Sequence, residues 1–114
     1  MTTDARLPRD RRLTRASDLR RCLEGGRRRR GSVLEFSWMD NAVGHPRLGL
    51  VVPRYQQTAV ARNRLRRRLK ELWRREVQPD QPARDLVIRA RREAYGAAFA
   101  DLRGDLLAWR DAVR

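Results

Sequence analysis

Apolar residues set two different periods along this chain. Ala16, Leu19 and Leu23 recur at helical spacing with Cys22 beside them, which predicts an amphipathic helix docked by one face. Thr14 is placed to cap its start, and Gly25-Gly26 ends it. From Val33 to Met39 the period drops to two. Leu34, Phe36 and Trp38 alternate with Glu35 and Ser37, the pattern of a half-buried strand. Asp40 to Pro46 reads as a loop, and Leu48 to Val52 as a second strand bounded by Pro53. Helical spacing then returns: Leu65, Leu69 and Leu72 stand at i, i+4 and i+7, with Ala61 one turn earlier, in a helix from about Thr58 to Val77 that stops before Pro79. After a Pro79–Pro82 linker, Leu86 to Ala90 forms a third strand. Phe99, Leu102, Leu106 and Trp109 mark a closing helix, weakened by Gly104.

The order is helix, strand, strand, helix, strand, helix, and the Arg27–Arg30 run can extend into a further short strand. A small sheet with helices packed on it is the simplest way to bury these faces. At 114 residues there is room for one core. Residues 1–12, polar, charged and broken by Pro8, read as a flexible basic N-terminal arm, and residues 13–114 as a single α/β domain. No apolar run approaches the roughly 20 residues that cross a bilayer, and the N-terminus carries no apolar signal segment. Cys22 is the only cysteine, which excludes a disulfide framework and a cysteine zinc cluster. A cytoplasmic protein with no membrane partner is expected.

Charge sharpens the picture. Lys plus Arg total 28 against 14 acidic residues, a net charge of +14, and Lys70 is the only lysine. The densest cluster, Arg62-Asn63-Arg64-Leu65-Arg66-Arg67-Arg68, lies within the long helix. On a helical wheel Asn63, Arg67, Lys70 and Arg74 fall opposite the leucine stripe, with Arg62 and Arg66 on one flank. Solvated helix faces usually mix signs at i, i+4, but this run meets no acid until Glu71. A helix anchored by its leucines would display a cationic surface whose natural counter-charge is nucleic-acid phosphate. The Arg27–Arg30 run fits either phosphate contact or a solvated loop. Phe36 and Trp38 suit base stacking and core packing equally.

Autonomous catalysis finds little support. His45 is the only histidine and lies in a Gly-His-Pro turn, and the acids are scattered among arginines as local ion-pair partners. No catalytic residue and no metal ligand is assigned. Cys22 reads as a small core residue.

Gly44-His45-Pro46-Arg47-Leu48-Gly49-Leu50-Val51-Val52, followed by Thr58-Ala59-Val60-Ala61-Arg62-Asn63-Arg64-Leu65-Arg66-Arg67, resembles the protein component of bacterial ribonuclease P. The Arg-Asn-Arg helix is that family's hallmark, and the likeness extends over roughly residues 11–112. The resemblance implies a two-layer α/β (α+β) sandwich of αβββαβα order, like the second domain of a ribosomal protein. Its small four-stranded mixed sheet would carry a left-handed βαβ crossover. It also implies a non-catalytic subunit. One protein would bind one catalytic RNA and the 5′ leader of precursor tRNA, while the RNA with Mg²⁺ cleaves the phosphodiester bond and the protein itself holds no cofactor. Carried over by position, Arg62, Asn63, Arg64, Arg66, Arg67 and Lys70 would face the catalytic RNA. Leu19, Leu23, Arg20, Val52 and Arg54 would border the leader cleft. The family commonly has phenylalanine at the positions of Leu19 and Leu23, and a basic pair where this chain has Pro53-Arg54, so the cleft here offers less base stacking. A ribosomal-type structural RNA-binding protein shares the charge and size. A DNA-binding regulator would need a recognition helix rather than one that connects strands, and a stand-alone nuclease ranks last.

Overall fold

A computed structural model describes residues 7–113. Its elements run α1 (Ala16–Gly25), β1 (Arg27–Arg30), β2 (Leu34–Asp40), β3 (Arg47–Val51), α2 (Ala59–Leu72), β4 (Arg84–Ala90) and α3 (Phe99–Ala112). This is the αβββαβα order. The sheet order is β1-β2-β4-β3. β1 with β2 and β2 with β4 are antiparallel, whereas β3 and β4 are parallel neighbours joined through α2. α2 passes directly into a wider π-type turn at Trp73–Val77, and a 3₁₀ turn at Gln78–Asp80 then takes in Pro79, the first residue of the stretch expected as a linker. The Arg27–Arg30 run does form a strand, because its backbone pairs with Glu35–Trp38 of β2.

Period-two alternation gives the sheet two unlike faces. On one, Leu34, Phe36 and Trp38 of β2, Leu48 of β3, and Leu86, Ile88 and Ala90 of β4 meet Leu65, Leu69, Leu72, Trp73 and Val77, together with Leu102, Leu106 and Trp109 of α3. Trp109 is central: its ring stacks on Phe36 at 5.8 Å between centroids and meets Trp38 edge-on at 5.7 Å. Phe36 and Trp38 are 1% and 8% exposed. They are core residues, and the base-stacking alternative falls.

The opposite face carries a smaller cluster beneath α1, made by Leu13, Cys22 and Val87 with Leu19, Leu23, Met39 and Val51 at its margin. Cys22 donates its thiol hydrogen to the Ser37 carbonyl at 3.2 Å. Burial pushes its pKa up to about 11, with the Asp85 carboxylate adding to the rise. Gly49 lets α1 approach: a Cβ there would stand 2.6 Å from Leu19 Cδ2 and 3.0 Å from Leu13 Cβ. Two buried or half-buried carboxylates lock the edges. Asp85 accepts from Arg47 Nε and Nη2, both at 2.9 Å, and from Asn41 Nδ2 at 2.8 Å. Asp105 of α3 accepts the N–H groups of Ser32, Val33 and Leu34 at 3.1, 2.7 and 2.9 Å.

Two sequence expectations need correction. Arg15, not Thr14, holds the N-cap position of α1, and no side chain caps it. The arm expected over residues 1–12 is not free over its described part. Leu7 is 3% exposed in the main core, Arg9–Arg11 make a 3₁₀ turn, and Arg12 bridges to Leu48 while the Leu13 N–H donates to the Leu48 carbonyl at 2.9 Å. A single leucine among charges docks because β3 otherwise leaves an open strand edge. Residues 1–6 lie outside the described residues.

Candidate nucleic-acid interface

α2 is built to hold charge outward. Thr58 caps it, its Oγ1 accepting the Ala61 N–H at 3.0 Å, and Leu65, Leu69 and Leu72 are buried. With the stripe fixed, Asn63, Arg64 and Arg67 are exposed, whereas Arg62, Arg66, Arg68 and Lys70 are half-buried. The first acid, Glu71, is engaged by Arg75 at 3.0 Å. Arg62 turns back, donating from Nε to the Val52 carbonyl at 2.8 Å, and so pins the helix start to the end of β3. Arg66 and Lys70 lean toward α1. Burial lowers the pKa of Arg66, with Arg62 adding to it. Burial likewise lowers that of Lys70, followed by repulsion from Arg66 and Arg12. The six expected positions thus divide: three project freely, one anchors the helix, and two face inward beside like charges.

The second surface lies on the α1 side of the sheet. The register aligns Arg30, Glu35, Arg89 and Val51 in one row across β1, β2, β4 and β3, and Arg28, Ser37, Val87 and Gly49 in the next. α1 covers the second row and leaves the first open. An open groove of about 410 Å³ results, lined by Leu23, Arg28, Arg30, Glu35, Ser37 and Arg89 among others. Arg28 also donates to the Leu23 carbonyl, joining β1 to the end of α1.

Of the expected leader-cleft residues, Leu23 borders this groove. Leu19 sits over Gly49 and lines a neighbouring pocket with Leu13, Leu50, Arg66 and Lys70. Arg20 and Arg54 are exposed. Val52 is corrected: it is 2% exposed and belongs to the main core. Val51, one residue earlier on the pleat, is the member of this pair on the α1 side. Sequence reasoning left the Arg27–Arg30 run open between phosphate contact and a solvated loop, and it missed Glu35 and Arg89, because their union with Arg28 and Arg30 depends on strand register. His45 stays in its loop, its Nε2 4.0 Å from Asp10.

Among the described residues no three His, Cys, Asp or Glu side chains converge as a metal site, and no helix is long and apolar enough to cross a membrane. The two surfaces described above offer charge, shape and hydrogen bonding.

A family model described as Ribonuclease P matches residues 7–113. The chain is 36% identical over 97 residues to the ribonuclease P protein component of Syntrophobacter fumaroxidans, covering 84% of this chain and 82% of that protein. It is 38% identical over 98 residues to that of Acidothermus cellulolyticus, with the same shares covered. Among solved structures it is similar to the RNase P protein of Staphylococcus aureus, with a TM-score of 0.81 at 22% identity over 91% of this chain and 95% of that one. The Thermotoga maritima RNase P protein gives a TM-score of 0.79 at 24% identity over 90% and 97%.

Proposed function

The chain belongs to the ribonuclease P protein family, and on that premise we propose that it is the protein subunit of a ribonucleoprotein that matures the 5′ ends of tRNA. Asn63, Arg64 and Arg67, supported by Arg62, Arg66 and Lys70, contact the catalytic RNA. The groove beside α1, with Leu23, Leu19, Arg20 and Arg54, and Val51 in place of Val52, receives the single-stranded leader of precursor tRNA. Hydrolysis of the phosphodiester bond belongs to the RNA with its Mg²⁺, and the protein works in the cytoplasm, one copy per RNA. The single observation that carries this reading is the cationic outer face of α2, held outward by three buried leucines with no acid before Glu71. Such a face favours a polyanion, because each neutralised phosphate releases bound counterions.

Reconstitution tests it. The purified protein is added to ribonuclease P RNA and precursor tRNA at low Mg²⁺, and 5′ cleavage is measured. Stimulated cleavage at the mature 5′ end is expected, with no cleavage by nuclease-treated protein alone. An inert protein in the complete mixture, with binding to ribosomal RNA instead, would favour the structural RNA-binding alternative.

A further inference from the structure

Among the described strands β1 alone has no buried side chain: Arg27, Arg28, Arg29 and Arg30 are all exposed. Apolar burial therefore does nothing to place it. Its pairing with β2 and the turn that joins the two strands must do so. That turn is gripped from two sides. From α3, Asp105 takes three successive N–H groups, those of Ser32, Val33 and Leu34, at 3.1, 2.7 and 2.9 Å. From the end of β4, Arg91 donates through Nη1 to the Ser32 carbonyl at 2.7 Å, and its own N–H donates to the Val33 carbonyl at 3.0 Å. The Gly31 N–H closes the turn on the Leu34 carbonyl at 2.7 Å. The approach to α3 is close: a Cβ on Gly31 would stand 2.5 Å from Asp105 Oδ2. Asp105 is in no ion pair among the described residues. Its charge is directed at backbone N–H groups, and such charge-assisted hydrogen bonds are stronger than neutral ones. Arg91 is itself steadied by Glu93 at 3.1 Å.

We propose that Asp105 and Arg91 are positioning residues of the groove beside α1, acting through Arg28 and Arg30. Their clamp fixes the turn against α3, and the register carries that placement along β1, where Arg30 and Arg28 stand opposite Glu35 and Ser37 in the groove lining. Arg30 is next to the clamped turn, and Arg28 is tied at the other end of the strand by its bond to the Leu23 carbonyl. An arginine on an edge strand that swings loses more freedom on binding than one on a fixed strand. A clamped strand therefore binds a polyanion more tightly at the same charge. In this way α3, on the covered face of the sheet, sets the geometry of the open one. That the ligand of this strand is the leader rests on the function proposed above.

The test begins with amide exchange in the full-length protein alone. Asp105→Asn keeps the shape of the side chain but turns an NH2 toward the N–H groups of the turn. Exchange over residues 28–34 should rise above wild type while α2 is unchanged, and Arg91→Ala should do the same. Arg103→Gln, which breaks the ion pair with Glu76 on the same helix, should leave these residues as in wild type. The second arm measures the ratio of precursor to mature tRNA affinity in the complex reconstituted with ribonuclease P RNA. Asp105→Asn and Arg91→Ala should lower it about three- to tenfold, the effect of one or two misplaced polar contacts, with affinity for ribonuclease P RNA kept. Arg91→Lys, which retains a donor for Ser32, should restore most of the ratio. On a background of Arg28→Gln with Arg30→Gln, Asp105→Asn should lower the ratio no further, because residues that act through one another are not additive. An unchanged ratio in a variant whose turn exchanges faster, or an equal further loss on that background, overturns the positioning role. Unchanged exchange in both variants overturns the clamp itself. Should Asp105→Asn fail to fold, Arg91→Ala, nearer the surface, gives the same readouts. Failure of wild type to reconstitute would instead sink the function proposed above, and the leader assignment with it.

Discussion

The two faces of the sheet carry nearly the same number of strand positions and do opposite work. One is covered over its central strands by α2, its π-type turn and α3, and Leu34, Phe36 and Trp38 of β2 and Leu86, Ile88 and Ala90 of β4 are apolar and buried on it. The other is covered by α1, whose Cys22 packs with Leu13 and Val87, and its open row is Arg30, Glu35, Arg89 and Val51. The difference shows how a small domain can combine a stable fold with a receptive surface. Burial of apolar area scales with how completely a layer is covered, so the stability comes mostly from one face. The other keeps only enough apolar contact to hold α1, and its uncovered strand positions can carry charge. Some cations follow the same division: Arg47 is paired with Asp85 where it locks the fold, whereas Arg64 and Arg67 are exposed and in no ion pair among the described residues.

The largest expected effect lies on the covered face. Trp109 touches Phe36, Trp38 and Trp73, and its replacement by alanine removes the centre of the core. Trp109→Ala should cost about 3–5 kcal/mol, a large part of the stability of a domain this size. Leu23→Ala, on the half-covered face, should cost less than about 2 kcal/mol because the side chain already borders solvent. Urea unfolding of both variants checks the contrast, and equal losses would break it.

Next is Asp85, the one buried acid among the described residues, beneath the half-covered face. Asp85→Ala strips Arg47 and Asn41 of a shared acceptor and should cost roughly 2–3 kcal/mol. Arg47 is near enough to the surface to regain water, which keeps the loss below that of a sealed ion pair. Thermal unfolding measures the cost. Amide exchange in residues 41–46 should rise more than in α3, since this carboxylate ties that loop to β4. Uniform exchange across both regions would mean that the acid acts on the whole fold instead.

The covered face was readable in the sequence because each element there keeps a single period. Leu34, Phe36 and Trp38 alternate, and Leu65, Leu69 and Leu72 recur by turns, so both the elements and their inward sides follow. The half-covered face was not. Leu48 to Val52 is apolar on both sides of the strand, so alternation could not decide between Val51 and Val52. Arg27–Arg30 has no hydrophobic period at all, and its strand exists only through pairing with β2. Glu35 and Arg89 meet Arg30 through register between segments distant in sequence. Leu7, a lone apolar residue, gave no period to reveal that it enters the core. On α2 the cationic face was legible, but not that Arg62 bonds to Val52 or that Arg66 and Lys70 turn toward Arg12.

The outer face of α2 sharpens the comparison in another way, because its charges should contribute to binding and not to folding. Asn63→Ala combined with Arg64→Ala and Arg67→Ala leaves Leu65, Leu69 and Leu72 in place, so the melting temperature should stay near that of wild type. Affinity for ribonuclease P RNA should fall. The slope of log K against log salt should flatten by roughly 0.7–0.9 for each phosphate that the variant no longer neutralises. Filter binding across a salt series gives the slope. An unchanged slope in a folded variant would show that this face meets solvent in the complex. Arg62 is left out of the set because its bond to Val52 would mix the two effects.

The smallest expected effect separates two leucines that the sequence treats alike. Leu19 and Leu23 stand one helical turn apart, both where the family commonly has phenylalanine, yet the structure gives them different surroundings. Leu19 Cδ2 lies over Gly49, in the space a Cβ would fill, and Leu13 closes the same site. A ring there has little room and should overpack, costing about 1–3 kcal/mol. Leu23 borders the open groove with Arg28, Arg30 and Glu35, where a ring can lie over the sheet without displacing a neighbour. Leu23→Phe should therefore leave the melting temperature nearly unchanged. It should also tighten precursor tRNA relative to mature tRNA by about 1 kcal/mol, the lower end for a base stacked on an aromatic ring. Mature tRNA lacks the leader, so the ratio of the two affinities in the reconstituted complex isolates the groove from every other contact. A raised ratio for Leu23→Phe with a lowered melting temperature for Leu19→Phe places the leader against the end of α1. The reverse outcome, with Leu19→Phe raising the ratio at full stability, would move the leader toward the neighbouring pocket that Leu19 lines and leave the 410 Å³ groove without its proposed occupant.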